Sequence, residues 1–269
     1  MRSDRKAILP LRLAAYCALV FLHLPVLLIF IYAFSADGNS YQFPPSGLTT
    51  HWFEVALART EAWDSLWLSV KVAAYATLIA LVLGAMAAGA IARGRFPGKD
   101  GVTFLFTLPI SLPGIVMGIS LLSAIRMADL EPGILTLVVA HATFCLVVVY
   151  NNVVARLRRL APSQIEASLD LGADPFQTIR HVVLPHMATA LLAGGMLAFA
   201  LSFDEIIVTT FAAGNDKTLP IWFLGELFRP RERPVTSVFA VIVMVVTALP
   251  ILLSYYLTRE GEEIGGQGK

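Results

Sequence analysis

Charge is scarce in this chain. Only 14% of its 269 residues are Asp, Glu, Lys or Arg, against 57% hydrophobic. No soluble domain of this length needs so much apolar surface, and an ordinary water-soluble enzyme is excluded. Cysteine is almost missing. Cys17 and Cys145 both fall inside long apolar runs and read as small packing residues, not a disulfide or a metal site. No nucleophile–base pair stands out, and no His, Cys or carboxylate cluster has metal-ligand spacing. No catalytic residue, no metal and no cofactor bound by this chain are therefore expected. Gly98-Lys99 is no phosphate loop: the glycine five residues earlier is absent, and Asp100 replaces the required Ser or Thr. There is no usable internal repeat and no low-complexity domain. Gly265-Gly266-Gln267-Gly268 reads as a frayed end.

What remains is long apolar runs. Six of them reach roughly 20 residues, enough for a hydrocarbon core of about 30 Å. They lie near 11–34, 64–92, 102–125, 133–155, 186–213 and 235–257. An even number puts both termini on one side, together with the 93–101 and 156–185 loops. That side holds 13 of the 20 Lys and Arg, so the positive-inside rule makes it cytoplasmic. The first run follows Arg2, Arg5 and Lys6, but it is longer than a secretory signal core and shows no small-residue cleavage site. It reads as a retained span. The expected organisation is a first span and outer loop over 1–62, a core of five spans over 63–257, and a cytoplasmic tail over 258–269. The outer loop carries Trp52-Phe53 and a short interfacial helix near 50–60. The end of the second run offers small residues, Gly84, Ala85, Ala88 and Gly89, where another helix can come close.

The longest cytoplasmic connection is a polar island, Pro162 to Pro185. Pro162 suits a first helical turn, and Ser163 with Glu166 has capping-box spacing. Ile165, Leu169 and Leu171 give an apolar side. Gly172 supplies the positive φ that ends a helix. Asp174-Pro175 reads as a second N-cap followed by a proline set for the first turn. Two short helices meeting at a glycine bend are predicted, with Leu184-Pro185 leading into the fifth span.

This island resembles the cytoplasmic EAA loop of permease subunits of binding-protein-dependent ABC importers. The pattern is E-A-A, three residues, G, nine residues, I-x-L-P. Here it is carried by Glu166, Ala167, Ser168, Gly172, Val182, Leu184 and Pro185. Ser168 replaces the second alanine and Val182 the isoleucine; both changes of volume are small. The resemblance implies an all-α integral membrane protein with six transmembrane helices and a cytoplasmic coupling helix between helices four and five. It also implies that Glu166, Ala167, Ser168, Gly172, Asp174, Pro175, Val182, Leu184 and Pro185 couple the chain to a separate ATPase.

Three features inside the spans are candidates for a substrate path. The third run carries Pro109, Pro113, Gly114 and Gly118, which bend or loosen a helix, and broken helices often line transport paths. A kink without a substrate role is at least as well supported. His141 in the fourth run is an intramembrane ionisable residue, a functional candidate, although a neutral His can also simply bond a neighbouring helix. Asp204 and Glu205 lie at the outer part of the fifth run, in SFDE, ahead of Thr218-Leu219-Pro220. That arrangement resembles the polyamine branch of these permeases, and the resemblance covers roughly residues 60–257. The outer side and its span ends hold 11 acids against seven bases, a field that concentrates a cation. Asp204 and Glu205 can equally pair with bases of a partner. The run Arg229, Arg231, Arg233 argues against a uniformly acidic mouth.

The resemblance thus implies a permease subunit in a bacterial inner membrane, with both termini cytoplasmic. Its partners would be an ABC ATPase dimer that binds ATP and Mg, a second homologous permease, a periplasmic solute-binding protein and the lipid bilayer. No nucleic acid is expected. Polyamines such as spermidine and putrescine are the implied substrates. Another small organic solute, such as an amino acid derivative or opine, is the alternative within the family. An ion-driven secondary transporter is the rival from outside it, and it would need more ionisable residues deep in the spans than His141.

Overall fold

Hydrophobic runs without charge must satisfy their backbone internally, and this chain does so with helices. The structure, a computed structural model, describes residues 2–38, 42–94, 96–228 and 233–248. Arg95, Arg229, Arg231, Glu232, the end of the sixth run over 249–257 and the tail over 258–269 lie outside the described residues. Among the described residues there is no β-strand beyond one isolated antiparallel bridge, Ser35 to Leu48.

The helices in chain order are α1 (Arg2–Ala33), α2 (His51–Leu57), α3 (Thr60–Arg93), α4 (Lys99–Ser111), α5 (Gly114–Met127) and α6 (Ile134–Leu157). The cytoplasmic island follows as α7 (Pro162–Asp170) and α8 (Pro175–Thr178), continued by a π-helical turn over Ile179–Val183. Then come α9 (Leu184–Phe203), α10 (Ile207–Ala212), α11 (Leu219–Leu227) and α12 (Arg233–Ala248). The short helix expected near 50–60 is α2.

Two expected spans are interrupted. The third run is not one rod: α4 and α5 meet at 107°. Leu112 is extended, with ψ 143°, as the residue before a proline prefers, and Pro113 cannot supply the amide that would continue the helix. The fifth run stops at Phe203 and resumes at Ile207, so it does not run unbroken to 213. Among the described residues four helices are long and apolar enough to cross a membrane, or five if the bent pair counts as one. The sixth run is described only as far as Ala248. The expected count of six is therefore not reached within the described residues.

The contacts group the chain into two compact units, Met1–Thr60 with Phe223–Lys269, and Glu61–Trp222. In the first, α1 is exposed from Pro10 to Pro25, partly covered from Val26 to Tyr32 and buried at Ala33. Its outer loop is built around Trp52, whose indole N–H donates to the Ser35 carbonyl at 2.9 Å, while the Phe34 and Phe53 rings lie 5.0 Å apart. Arg59 and the buried Glu226 approach to 3.8 Å.

The second unit is centred on α6, which is buried along most of its length. One core cluster joins α3, α6 and α9 through Ala80, Ala88, Val149, Tyr150, Val153 and Ala198. The approach is close because Gly84 has no side chain: a Cβ there would lie 3.0 Å from the Leu146 carbonyl oxygen. Gly89 is not on that face, since a Cβ there would meet nothing within 4 Å. The small-residue contact is thus narrower than the sequence implied. A second cluster joins Val72, Met117, Leu137, Val138, Val208 and Ala212 from α3, α5, α6 and α10.

Candidate functional site

The cytoplasmic island is a chain of local caps. Ala161 is the N-cap of α7 and Pro162 its first residue. Ser163 therefore already stands inside the helix, two positions too late to cap it. The expected Ser163–Glu166 capping box is not formed. The C-terminus of α7 closes as a Schellman motif: Gly172 N–H donates to the Leu169 carbonyl and Ala173 N–H to the Ser168 carbonyl. Gly172 takes φ 86°, which a side chain would resist. The next helix is capped as predicted. Asp174 Oδ1 accepts from Gln177 N–H at 2.9 Å, and Gln177 Oε1 accepts from Asp174 N–H at 3.0 Å. Pro175 is the first residue of α8. Ser168, the departure from the family pattern, lies with its hydroxyl 3.0 Å from that of buried Thr178. The pair joins α7 to α8.

The π turn was not foreseen. Leu184 N–H donates to the Ile179 carbonyl, five residues back rather than four. It precedes Pro185, whose ring in a regular α-helix would collide with the His181 carbonyl. Val182 and Val183 are half-buried, Leu184 and Pro185 exposed. Beyond them α9 is fastened to α6: Arg156 Nε donates to the His186 carbonyl at 3.0 Å, and Met187 is buried in the first core cluster. The island is thus joined without a flexible linker to the helix that packs most extensively on α6. Glu166 and Ala167 are exposed. So are apolar side chains that this chain leaves uncovered on the island, Leu171 at 89% and Phe176 at 69% among them.

The second candidate region lies where the two interrupted helices meet. A Cβ on Gly114, at the start of α5, would lie 3.4 Å from Ile207 at the start of α10. Gly118, one turn on, is covered by the Phe211 ring. The structure thereby brings Pro113 and Gly114 to the break that holds Asp204 and Glu205. Glu205 is used locally: its Oε1 accepts from Val208 N–H at 3.0 Å, satisfying one of the free amides at the start of α10. Asp204 is exposed, and among the described residues no group bonds its carboxylate.

His141 is buried beneath this break. Its Nδ1 lies 2.8 Å from Ser202 Oγ and its Nε2 3.0 Å from Thr209 Oγ1. Thr209 gives its own hydroxyl proton to the Glu205 carbonyl at 2.7 Å. It must therefore accept from His141, which places the imidazole proton on Nε2 and leaves Nδ1 to accept from Ser202. The far end of α10 is also held, with Thr136 Oγ1 2.9 Å from the Ala212 carbonyl. Ser202 and Thr209 were not singled out from the sequence. Their one signal is the placement of two hydroxyls on either side of the SFDE acids, and their partner lies 61 and 68 residues away.

Comparison with known proteins gives the family and the fold. Residues 80–260 match the family model described as the binding-protein-dependent transport system inner membrane component. The chain is 31% identical to the putrescine transport system permease protein PotI of Escherichia coli, over 90% of this chain and 88% of that protein. It is 28% identical to the spermidine/putrescine transport system permease protein PotC of Haemophilus influenzae, over 89% and 93%. In fold it is similar to a chain of a bacterial ABC transporter involved in the import of the acidic polysaccharide alginate. There the TM-score is 0.70 and the identity 17%, over 97% of this chain and 98% of that one.

Proposed function

This chain belongs to the inner membrane components of binding-protein-dependent transport systems, and from that premise we propose that it carries polyamines inward, driven by a separate ATPase docked on residues 163–185. It is a permease subunit of an ABC importer and a transport protein, not an enzyme. The observation that carries the coupling half is the capped island itself. It is a capped segment with exposed Leu171 and Phe176 that runs through the π turn into α9.

The partners follow from that arrangement. An ATPase dimer binds ATP and Mg and receives α7. A second homologous permease completes the path, and a periplasmic binding protein delivers substrate. Both termini are cytoplasmic, which puts the island on the ATPase side. Closure of the ATPase dimer displaces α7, and the displacement passes through 173–185 into α9. The pathway then alternates between outward and inward openings as a biased two-state equilibrium. Asp204, at the break beside Pro113 and Gly114, offers an uncommitted carboxylate to a cationic substrate. Glu205 and His141 shape the break around it.

Co-expression tests this reading. The chain is purified through its own tag with the second permease and the ATPase, and hydrolysis is assayed with putrescine-loaded binding protein. Co-purification with stimulated hydrolysis is the expected result. Co-purification without stimulation discards the polyamine substrate. Purification alone, with ion-driven uptake in liposomes, overturns the importer mechanism.

A further inference from the structure

We infer that His141 is a positioning residue for the Asp204 carboxylate. It staples the two sides of the break between α9 and α10 and so sets where that carboxylate stands. The inference rests on the substrate reading of Asp204 given above.

A break of three residues between two helices leaves its φ and ψ free unless something outside it holds both ends. Here one ring does so. Ser202 is the second-last residue of α9, and Thr209 the third of α10. His141 reaches both from α6, and all three side chains are buried. The hydrogen bonds run in one direction: Ser202 Oγ–H to Nδ1, Nε2–H to Thr209, and Thr209 Oγ–H to the Glu205 carbonyl. The last bond fixes the Glu205–Ile206 peptide, one residue beyond Asp204. Glu205 then closes the turn by accepting from Val208 N–H. Ser202, Thr209, and the carbonyl and one carboxylate oxygen of Glu205 are thus committed, while Asp204 is exposed. Such a network in a site with little water is demanding, because every polar atom left over is costly. A side chain lacking the donor or the acceptor leaves Ser202 or Thr209 unsatisfied and the break under-determined. No contact between His141 and substrate is needed.

The test is a double-mutant cycle on the complete importer in proteoliposomes, with radiolabelled putrescine delivered by the binding protein. Asp204→Asn, His141→Phe and the double variant are compared for KM and maximal rate. In parallel, spin labels at Leu201 and Thr210, both exposed, report the distance across the break in a background of Cys17→Ser and Cys145→Ala. His141→Phe is expected to raise KM by about tenfold, as Asp204→Asn does, and to broaden the distance distribution. The double variant is expected to be no worse than the more affected single variant, since both changes act through one carboxylate. His141→Gln, which keeps one donor and one acceptor, recovers part of the loss. Ser202→Ala removes one bond and Thr209→Val two, at nearly constant volume. They give the same pattern at about threefold should His141→Phe fail to assemble. An unchanged distribution in His141→Phe or Thr209→Val overturns the inference, as do KM effects that multiply in the double variant. An unchanged KM in Asp204→Asn instead overturns the substrate reading beneath it.

Discussion

The hydroxyls of Ser168 and Thr178 lie 3.0 Å apart and fasten the end of α7 to the last turn of α8. Thr178 is buried and Ser168 half-buried, so Thr178→Val leaves a shielded hydroxyl without its partner, at a cost of about 1 kcal/mol. Putrescine transported per ATP hydrolysed should fall in that variant. Replacing both residues, as Ser168→Ala with Thr178→Val, should restore part of the ratio, because no polar group is then stranded.

Gly172 sets the angle between α7 and α8. Its φ of 86° is strained for Ala and unreachable for Pro. Gly172→Ala should lower thermal stability by about 1 kcal/mol and slow uptake. Gly172→Pro, and a charge reversal at exposed Glu166, should uncouple hydrolysis from uptake while membrane insertion, checked by fractionation, stays intact. Normal uptake by both would remove the island from the power stroke.

Helix packing gives a paired prediction on α3. Gly84→Val forces a side chain against the Leu146 carbonyl and Val149 and should destabilise the detergent-solubilised protein by about 1–3 kcal/mol. Gly89→Ala, five residues on, meets nothing within 4 Å and should leave the melting temperature unchanged or slightly raised.

Acid should loosen the outer loop. The Asp37 carboxyl is held below its ordinary value of 3.8, chiefly by the Ser46 hydroxyl and next by the Ser46 amide, at 2.6 and 2.8 Å. A depressed carboxyl contributes order at pH above its ordinary value and loses it as pH falls through the lowered one. Trp52, which bonds Ser35 at 2.9 Å, should report this as an emission change below pH 3.8 that Asp37→Asn abolishes.

How much of this could be read from the chain depended on distance along it. Asp174-Pro175 and Gly172 declared their roles because caps and bends are made within four residues. Ser163 misled for the same reason: a proline one place earlier moved the helix start and left the serine inside. The third run contains both Pro109 and Pro113, and nothing local says that the first stays within α4 while the second ends it. His141 was visible as an oddity in an apolar run, but its partners could not be found without the fold. The π turn had only Pro185 to announce it, and a proline near a helix start is usually harmless.

That turn has a further consequence. A π turn holds one residue more than the α turns on either side, so it is a slack link in an otherwise stiff shaft. Were the extra residue handed along from Ile179–Val183 toward the membrane, the helix below it would turn by about 100° and advance by about 1.5 Å, with nearly all its hydrogen bonds kept. A push on the island would then arrive in α9 as a twist. The quantity to follow during turnover is accordingly which side chains of α9 change faces, rather than how far the helix travels.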